Sequence, residues 1–317
     1  MSALLQYAGL GQARLPAGPL HLAIGMFDGV HLGHQSVIEA AVHSARRSGG
    51  QAGVLTFWPH PSVLFRPAQP TPLLMPAAMK RTVLARLGVG VVIEQNFSAE
   101  FAAIEARDFV AFLQRQLPPL AAIYVGENWR FGRGRSGDVP LLVESARAAG
   151  LTVFSAPRLN YNGAPISSSR IREMLAAGEM AEANAMLGYS YFTTGVVEQG
   201  WQLGRTVGFP TLNLSWEPEL QPRHGVYAVE VSRGQERPLS GVANYGLRPT
   251  VTQTKRPLLE VHLLGTPVPA YGDEITVHWL KFLRPEGKFG SVDELRRQIG
   301  KDRENALNFF GKRGGNE

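Results

Sequence analysis

Hydrophobic residues follow one pattern in the first half of the chain. Apolar runs rich in β-branched residues alternate with stretches whose apolar positions recur at helical spacing. The runs predict strands at residues 21–27, 51–58, 89–95, 120–126 and 151–157. The stretches between them predict helices at residues 34–47, 78–87, 105–117 and 139–150. Strict alternation of strand and helix is typical of a parallel sheet with helices on both faces, so we expect an α/β domain.

The pattern changes near Leu187 and Gly188. From Phe192 onward the apolar segments are short, alternate with polar residues and are separated by Gly, Pro and Asn. They predict an antiparallel sheet or barrel with strands within residues 194–200, 211–216, 225–233, 239–246, 258–265 and 274–283. Residues 291–311 open with Ser and acidic residues and then show helical spacing, which predicts one or two helices packed on the barrel. We therefore expect two domains, residues 1–187 and residues 188–317.

Composition narrows the class of protein. A chain of 317 residues with 44% hydrophobic residues can fill two cores, and the absence of cysteine excludes disulfides, thiolate metal sites and cysteine nucleophiles. No apolar run reaches the roughly 18 residues that cross a bilayer, and the N-terminus lacks a charged region followed by an apolar core, so we expect a cytoplasmic protein. The net charge of +6 comes mostly from scattered arginines, which favours a small polyanion such as a nucleotide over nucleic acid.

The segment GMFDGVHLGH, residues 25–34, combines glycines and two histidines at the end of the first predicted strand. Parallel sheets bind ligands beyond the carboxyl ends of their strands. We expect residues 25–30 to form a turn, and Gly33 and His34 to open a helix whose free amides attract phosphate. His31 and His34 would then donate hydrogen bonds to phosphate oxygens or, if protonated, neutralise charge.

Two other interpretations of the histidine pair stay open at this point. A zinc site of the HExxH type needs four-residue spacing and a glutamate, which the segment lacks. Packed core histidines are the other alternative, although polar rings beside several glycines make a poor core. A Walker A loop is excluded because no GK[ST] follows the glycines.

The segment resembles the GNFDGVHxGH motif of bacterial bifunctional riboflavin kinase/FAD synthetases, and HLGH resembles the HxGH signature of the nucleotidyltransferase superfamily. TFWPHP (56–61), VGENWRFGRGRSGD (125–138) and ISSSRIREML (166–175) resemble later motifs of that family, in the same order. The resemblance implies a Rossmann-like FMN adenylyltransferase domain in which His31 and His34 are catalytic. Residues expected to bind nucleotide or phosphate are Gly25, Phe27, Asp28, Gly29, Gly33, Ser168, Ser169, Arg170 and Arg172.

Two of these segments also allow simpler interpretations. Ser168 and Ser169 would hold phosphate or would only cap a helix. Asn128, Trp129 and Arg130 would face a flavin or adenine ring through hydrogen bonds and stacking. The alternative for Trp129 is a plain core residue.

Residues 195–214, GVVEQGWQLGRTVGFPTLNL, carry the candidate chemistry of the second half. Glycine at this density suggests close approach of a ligand, or no more than a glycine-rich hairpin. Thr211 and Asn213 are hard oxygen donors two residues apart, hence on the same face of a strand, which suits Mg²⁺ held with nucleotide phosphates. We expect Gly204, Arg205 and Thr206 to contact the nucleotide.

This segment is similar to the riboflavin kinase motif ending in GFPTAN, and GVYAV, GVANYGLRPT, LEVHLL and residues 282–302 follow as in that family. The resemblance implies a β-barrel riboflavin kinase domain with a C-terminal helix. It also implies that Thr211 and Asn213 coordinate Mg²⁺ and that Glu260 activates the ribityl hydroxyl of the flavin. Without the resemblance, Glu260 would be an outward-facing strand residue.

The resemblance implies an enzyme that makes FMN from riboflavin and ATP in its second domain, and FAD and pyrophosphate from FMN and a second ATP in its first. Its partners would be these small molecules, without nucleic acid or membrane, and self-association is left open. Met26 stands where the motif has asparagine, so a riboflavin kinase with a weak or inactive adenylyltransferase domain is an alternative.

Two further alternatives come from other classes of protein. One is a flavin-binding regulatory or storage protein, and the other is an adenylyltransferase for nicotinate mononucleotide or phosphopantetheine. Retained Glu260, Thr211 and Asn213 argue against mere flavin binding, which needs neither a base nor a metal. The glycine-rich barrel argues against the other adenylyltransferases, which have no need of it.

Overall fold

Two units make up the fold, Met1–Ser168 and Ser169–Glu317. The computed structural model describes residues 4–199, 208–234, 236–247, 257–266 and 269–314 of the chain. Among these residues, no helix is both long enough and apolar enough to cross a membrane. Each unit is built around its own sheet.

A parallel sheet of six strands forms the centre of the first unit. The strands are β1 (Leu5–Tyr7), β2 (Leu20–Ile24), β3 (Gln51–Trp58), β4 (Val91–Asn96), β5 (Leu120–Gly126) and β6 (Thr152–Ala156). They lie in the order β1-β4-β3-β2-β5-β6, and every neighbouring pair is parallel. The predicted parallel sheet is confirmed. β1 is an addition, because three residues are too few to show a periodic pattern.

Helices connect the strands of this sheet. They are α1 (Leu32–Ser48), α2 (Pro61–Phe65), α3 (Ala77–Arg86), α4 (Ala99–Ala102), α5 (Phe109–Gln116) and α6 (Val139–Ala148). α1 ends at Ser48 and is capped by Gly49, whose left-handed φ of 66° glycine adopts without strain. Leu22, Leu55 and Ile123 are fully buried and form the centre of a core between sheet and helices. A two-stranded hairpin of β7 (Asn160–Tyr161) and β8 (Ala164–Pro165) follows the sheet.

The strand order creates a crevice beside β2. From β2 the chain proceeds to β3 on one side, whereas β5 lies on the other side of β2. Ligands of open α/β sheets bind at such a reversal of strand order, outside the carboxyl ends of the strands. The loops that follow β2 and β5 therefore flank the expected binding site, and both carry segments singled out from the sequence.

The second unit is a closed barrel preceded by two helices. The helices are α7 (Ser168–Ala177), which starts at the last residue of the first unit, and α8 (Met180–Leu187). The strands are β9 (Phe192–Glu198), β10 (Leu212–Ser215), β11 (Gly225–Ser232), β12 (Leu239–Leu247), β13 (Pro257–Leu263) and β14 (Glu274–Pro285). They close in the order β10-β13-β12-β11-β14-β9, and all the pairs are antiparallel. The predicted barrel is confirmed.

Aromatic side chains fill the barrel. Trp279 is fully buried and lies among Tyr227, Tyr245 and Trp216, with ring centroids 4.8–5.6 Å from its own. One long helix, α9 (Val292–Gly314), follows β14 and is held to it by two hydrogen bonds of 2.8 and 2.7 Å from Arg284 to the carboxylate of Asp302. The C-terminal segment predicted to form one or two helices thus forms one.

Candidate active sites

The loop between β2 and α1 has an unusual backbone. Phe27 and Val30 have φ angles of 48° and 36°, in the left-handed region that non-glycine residues rarely enter. For the β-branched Val30 this is a pronounced outlier. Such conformations cost of order 1–3 kcal/mol each and persist only where neighbouring structure fixes them. Contacts with residues outside the loop must therefore fix the backbone of residues 25–30.

Asp28 supplies one of the contacts that hold this loop. Its side chain is buried and accepts a hydrogen bond of 2.9 Å from the backbone N–H of Leu74. Its own carbonyl accepts a hydrogen bond of 2.9 Å from the hydroxyl of Ser168. The carboxylate of Asp28 therefore braces the loop, and Ser168 contacts the loop predicted to bind phosphate.

The carbonyl of Met26 supplies a second contact. It accepts one hydrogen bond from the hydroxyl of Thr56 and another from the ammonium of Lys80, each 3.0 Å long. Both donors lie on elements that follow β2 in the chain, Thr56 on β3 and Lys80 on α3. The backbone carbonyl of Met26 thus anchors the start of the loop.

His31 and His34 form a stacked pair at the start of α1. Their ring centroids are 3.6 Å apart at an interplanar angle of 18°, and the ring of Phe27 contacts that of His34 edge-on. His31 is the N-cap of α1, and its Nδ1 accepts a hydrogen bond of 3.3 Å from the backbone N–H of His34. When the ring is neutral, this bond places the proton of His31 on Nε2. Nε2 of His31 is thereby a donor.

Burial keeps both rings uncharged. It lowers the pKa of His31 to about 4 and lowers the pKa of His34 well below its usual value, and for His34 the charges of His31 and Lys80 act in the same direction. Of the two states considered from the sequence, neutral donors and charged imidazolium, the geometry favours neutral donors at pH 7. Nδ1 of His34 is shielded from solvent and makes no hydrogen bond to any residue that the structure describes.

The loop after β5 borders the same crevice. Asn128 and Arg130 are exposed, and Arg130 lies 3.5 Å from the carboxylate of Asp138. Trp129 is partly buried, and its ring stacks on Phe131 with centroids 4.7 Å apart. Trp129 thus packs against the core with one face, and the two polar residues beside it are the accessible ones.

A row of polar side chains crosses four strands of the barrel. Glu260 on β13 is paired in register with Asn213 on β10 and with Asn244 on β12, and Asn213 is paired in turn with Glu198 on β9. Directly paired residues of antiparallel strands share a face. Leu259, next to Glu260, is fully buried in the barrel, so the row lies on the outer face. Asn213 is nonetheless only 6% exposed, whereas Glu260 is partly buried.

The segment before β10 is attached to this row. The carbonyl of Pro210 lies 2.9 Å from Nδ1 of His262, which is two residues from Glu260 on β13 and therefore on the same face. Thr211 directly precedes β10 and is partly buried. Oxygen donors from Thr211 and Asn213 beside a carboxylate are the ligand types that Mg²⁺ takes. Gly204, Arg205 and Thr206 lie outside the described residues.

Two family models match separate parts of the chain. The FAD synthetase model matches residues 16–170, and the riboflavin kinase model matches residues 187–310. The bifunctional riboflavin kinase/FMN adenylyltransferase of Escherichia coli (strain K12) is 39% identical over 290 residues, 92% of this chain and 92% of that protein. The protein of the same name from Bacillus subtilis (strain 168) is 36% identical over 294 residues, 91% of this chain and 92% of that protein.

The chain belongs to the bifunctional riboflavin kinase/FMN adenylyltransferase family. The kinase-only alternative is not favoured, because the FAD synthetase model matches the first unit and these relatives carry both names. A solved structure described as a macrolide-efflux protein from Streptococcus pneumoniae is also similar. It has a TM-score of 0.85 and 28% identity, and the match covers 96% of this chain and 99% of that one. That description concerns the other protein.

In this family member, sequence segments far apart in the chain meet at one edge of the parallel sheet. The segments that follow β2, β3 and β5 lie at the carboxyl ends of neighbouring strands, and Ser168 contacts the first of them. Ser169, Arg170 and Arg172 lie on α7. The binding roles predicted for all these residues stay predictions, as do those of Thr211, Asn213 and Glu260.

Four residues near the two sites were missed by sequence reasoning: Thr56, Lys80, Asn244 and His262. A signal existed for Lys80, because Val83 and Leu84, three and four positions later in the predicted helix, share a face with it, so a lysine occupies a core-facing position. For His262 the signal was its position two residues after Glu260 in a predicted strand, which puts both on one face. For Asn244 no signal existed, since strand register decides that it lies on the face of Glu260.

Proposed function

We propose that this chain makes FAD from riboflavin in two steps, one in each unit. The barrel phosphorylates riboflavin with ATP to give FMN and ADP, and the first unit transfers AMP from a second ATP to FMN, releasing pyrophosphate. The observation that carries this proposal is that each family match falls on one of the two sheets, residues 16–170 on the parallel sheet and residues 187–310 on the barrel. Because both steps consume ATP, we place the enzyme in the cytoplasm.

In the kinase step a primary alcohol attacks the terminal phosphorus of ATP. The new bond joins the ribityl oxygen to phosphorus, and the bond to the β-phosphate oxygen breaks, so that ADP leaves. A primary alcohol is a poor nucleophile, and we assign Glu260 to take its proton as the bond forms. General base catalysis of this kind is typically worth ~10²–10⁴-fold.

Thr211 and Asn213 are our candidates for the Mg²⁺ ligands of this step. Among the described residues no three His, Asp or Glu side chains are grouped so that they would share a metal, so the ion would be held by neutral oxygens and by the phosphates of ATP. The side chain of Asn213 fits this role because it is buried on an outer face, directly opposite Glu260. When bound, the ion would neutralise charge on the phosphates.

The adenylyl transfer step needs no base. The phosphate of FMN is already an anion, its oxygen attacks the α-phosphorus of ATP, and pyrophosphate leaves as the bond to it breaks. Positioning and charge stabilisation then remain for the protein to supply. We assign these tasks to the amides at the start of α1 and to the neutral rings of His31 and His34. Gly25, Phe27, Asp28, Gly29 and Gly33 would bind the nucleotide and its phosphates beside them.

The remaining contacts that we propose follow from the resemblance of their segments to motifs of this family. Asn128 and Arg130 would contact the flavin, with Trp129 alongside them. Ser168, Ser169, Arg170 and Arg172 would contact phosphate. Gly204, Arg205 and Thr206 would contact the ATP of the kinase step.

The test begins with the purified full-length chain, riboflavin, ATP and Mg²⁺, followed by chromatographic separation of riboflavin, FMN and FAD. We expect FMN to form first and FAD to follow, and we expect FAD and pyrophosphate when FMN replaces riboflavin. Chelation with EDTA should stop FMN formation. FMN without FAD would contradict the proposed role of the first unit, and flavin binding without conversion would contradict both roles.

A further inference from the structure

Lys80 is a buried lysine beneath the loop of residues 25–30. It is 4% exposed, and it lies on the core-facing side of α3 with Val83 and Leu84. Lysine is almost never this buried without a partner that compensates the loss of water. An apolar residue would fill the same space at a lower energetic cost. The energetic cost of burying this charge therefore suggests that Lys80 has a functional role.

The contacts of Lys80 connect it to the loop of residues 25–30. Its Nζ donates a hydrogen bond of 3.0 Å to the carbonyl of Met26 and another of 3.2 Å to the hydroxyl of Thr56. Within the described residues, both of its hydrogen bonds thus go to uncharged oxygens. Thr56 in turn donates to the same Met26 carbonyl. The three groups form a closed triangle, and the carboxylate of Asp28, in the same loop, also attracts the charge of Lys80.

This hydrogen-bonded triangle lies directly before the strained part of the loop. Met26 immediately precedes Phe27, the first of the two non-glycine residues of this loop with positive φ. A carbonyl fixed by two donors, one of them an ammonium, sets the orientation of the following peptide bond. The next loop residue, Asp28, is bonded to Leu74 a few residues before α3. The segment of residues 74–80 therefore holds the loop at two successive places.

We propose that Lys80 is a positioning residue for adenylyl transfer, which acts by holding the Met26 carbonyl and thereby keeps the loop and the His31–His34 pair ready to receive the phosphates. This inference rests on the proposed function of the first unit. Displacement of a reacting group by about 1 Å costs about 100-fold in rate. Loss of the triangle should therefore reduce turnover more than it reduces substrate binding.

The first test compares Lys80→Met with wild type and with Arg81→Met. Arg81 is the next residue of α3, so its variant removes a charge of the same sign from the same helix. We expect Lys80→Met to lower the kcat of FAD formation from FMN about 100-fold and to change the KM for ATP less than about 3-fold. Arg81→Met should stay within about 2-fold of wild type. Riboflavin phosphorylation by the same samples, which uses the other unit, should be unchanged.

Two results would overturn the inference. One is a kcat of Lys80→Met within about 2-fold of wild type. The other is a loss that falls wholly on the KM for ATP, which would mean that Lys80 binds phosphate directly. If wild type makes no FAD at all, the proposed function fails, and that outcome is distinct from either of these two.

Thr56 provides a second test that leaves the buried charge in place. Thr56→Val keeps the shape of the side chain but removes its hydroxyl, whereas Thr56→Ser keeps the hydroxyl. We expect Thr56→Val to lower the kcat of FAD formation about 10-fold and Thr56→Ser to remain within about 2-fold of wild type. Equal kcat values for Thr56→Val and wild type would contradict the inference even if Lys80→Met fails to fold.

Discussion

Lowering the pH should reduce the free energy of unfolding of the first unit more in the wild-type chain than in a His31→Asn variant. Burial lowers the pKa of His31 from 6.5 to about 4. As the pH falls below 6.5, the histidine of the unfolded chain binds a proton, but the folded one does not until the pH reaches about 4. The neutral ring thus contributes stability that is present above pH 6.5 and is lost as the pH falls toward 4.

The size of this loss follows from the same pKa values. Proton linkage from pH 7 to pH 5 gives a loss of about 2 kcal/mol in the free energy of unfolding for His31 alone, and the full loss below pH 4 is about 3 kcal/mol. The lowered pKa of His34 acts in the same direction. Asparagine is a good N-cap, so His31→Asn removes the titration while it preserves the cap of α1.

The assay must report on the first unit alone. Urea unfolding at pH 7 and pH 5, followed by pulse-labelling hydrogen exchange at one labelling pH, gives the stability of β2 and β5 from their own peptides. Wild type should lose about 2 kcal/mol more than His31→Asn between the two pH values. His43→Asn, which changes an exposed histidine on the same helix, should behave as wild type. Equal losses in wild type and His31→Asn would refute the idea that burial keeps the pair neutral.

Three further outcomes are expected. Glu260→Gln should slow FMN formation by ~10²–10⁴-fold through loss of the base, while FAD formation from supplied FMN is retained. Met26→Asn should leave the kcat of FAD formation within about 2-fold of wild type, because the substitution keeps the backbone carbonyl whose two hydrogen bonds hold the loop. Asp302→Ala should destabilise the barrel unit by about 3 kcal/mol in urea, because Arg284 loses its buried carboxylate.

Matched variants give each of these outcomes a control. Glu274→Gln changes an exposed carboxylate on β14 and should leave FMN formation unchanged. Asp293→Ala changes an exposed carboxylate at the start of α9 and should cost less than about 1 kcal/mol. Normal FMN formation by Glu260→Gln, a rise of more than about 10-fold in FAD formation by Met26→Asn, or a loss for Asp302→Ala no larger than that for Asp293→Ala would contradict the corresponding expectation.

The spacing of hydrophobic residues predicted the long strands of both sheets, because each long strand buries either one face or a continuous run of apolar residues. Residues 51–58 and 120–126 are examples in which the predicted and observed strands coincide. The strand predicted at residues 21–27 ends earlier, at Ile24, because the backbone turns toward the positive φ of Phe27. Short elements such as β1 and α4 gave no signal, since three or four residues do not complete a repeat.

The candidate sites were predictable only in part. Sequence placed Gly33 and His34 at the start of a helix, where they lie, whereas the role of His31 as the N-cap was not predicted. It did not show that Asp28 turns inward to Leu74, nor that Lys80 reaches the Met26 carbonyl from 54 residues away. Contacts of that kind depend on the order of strands in the sheet, which alternation of strand and helix does not determine.

The most direct test of two separate sites in one chain is complementation between variants. His34→Ala and Glu260→Gln are each incubated with riboflavin, ATP and Mg²⁺, alone and then mixed in equal amounts. We expect His34→Ala to stop at FMN, Glu260→Gln to leave riboflavin unconverted, and the mixture to form FAD, since FMN made by one variant serves the other. FAD formation from riboflavin by either variant alone, or no FAD from the mixture, would contradict the division of the two reactions between the parallel sheet and the barrel.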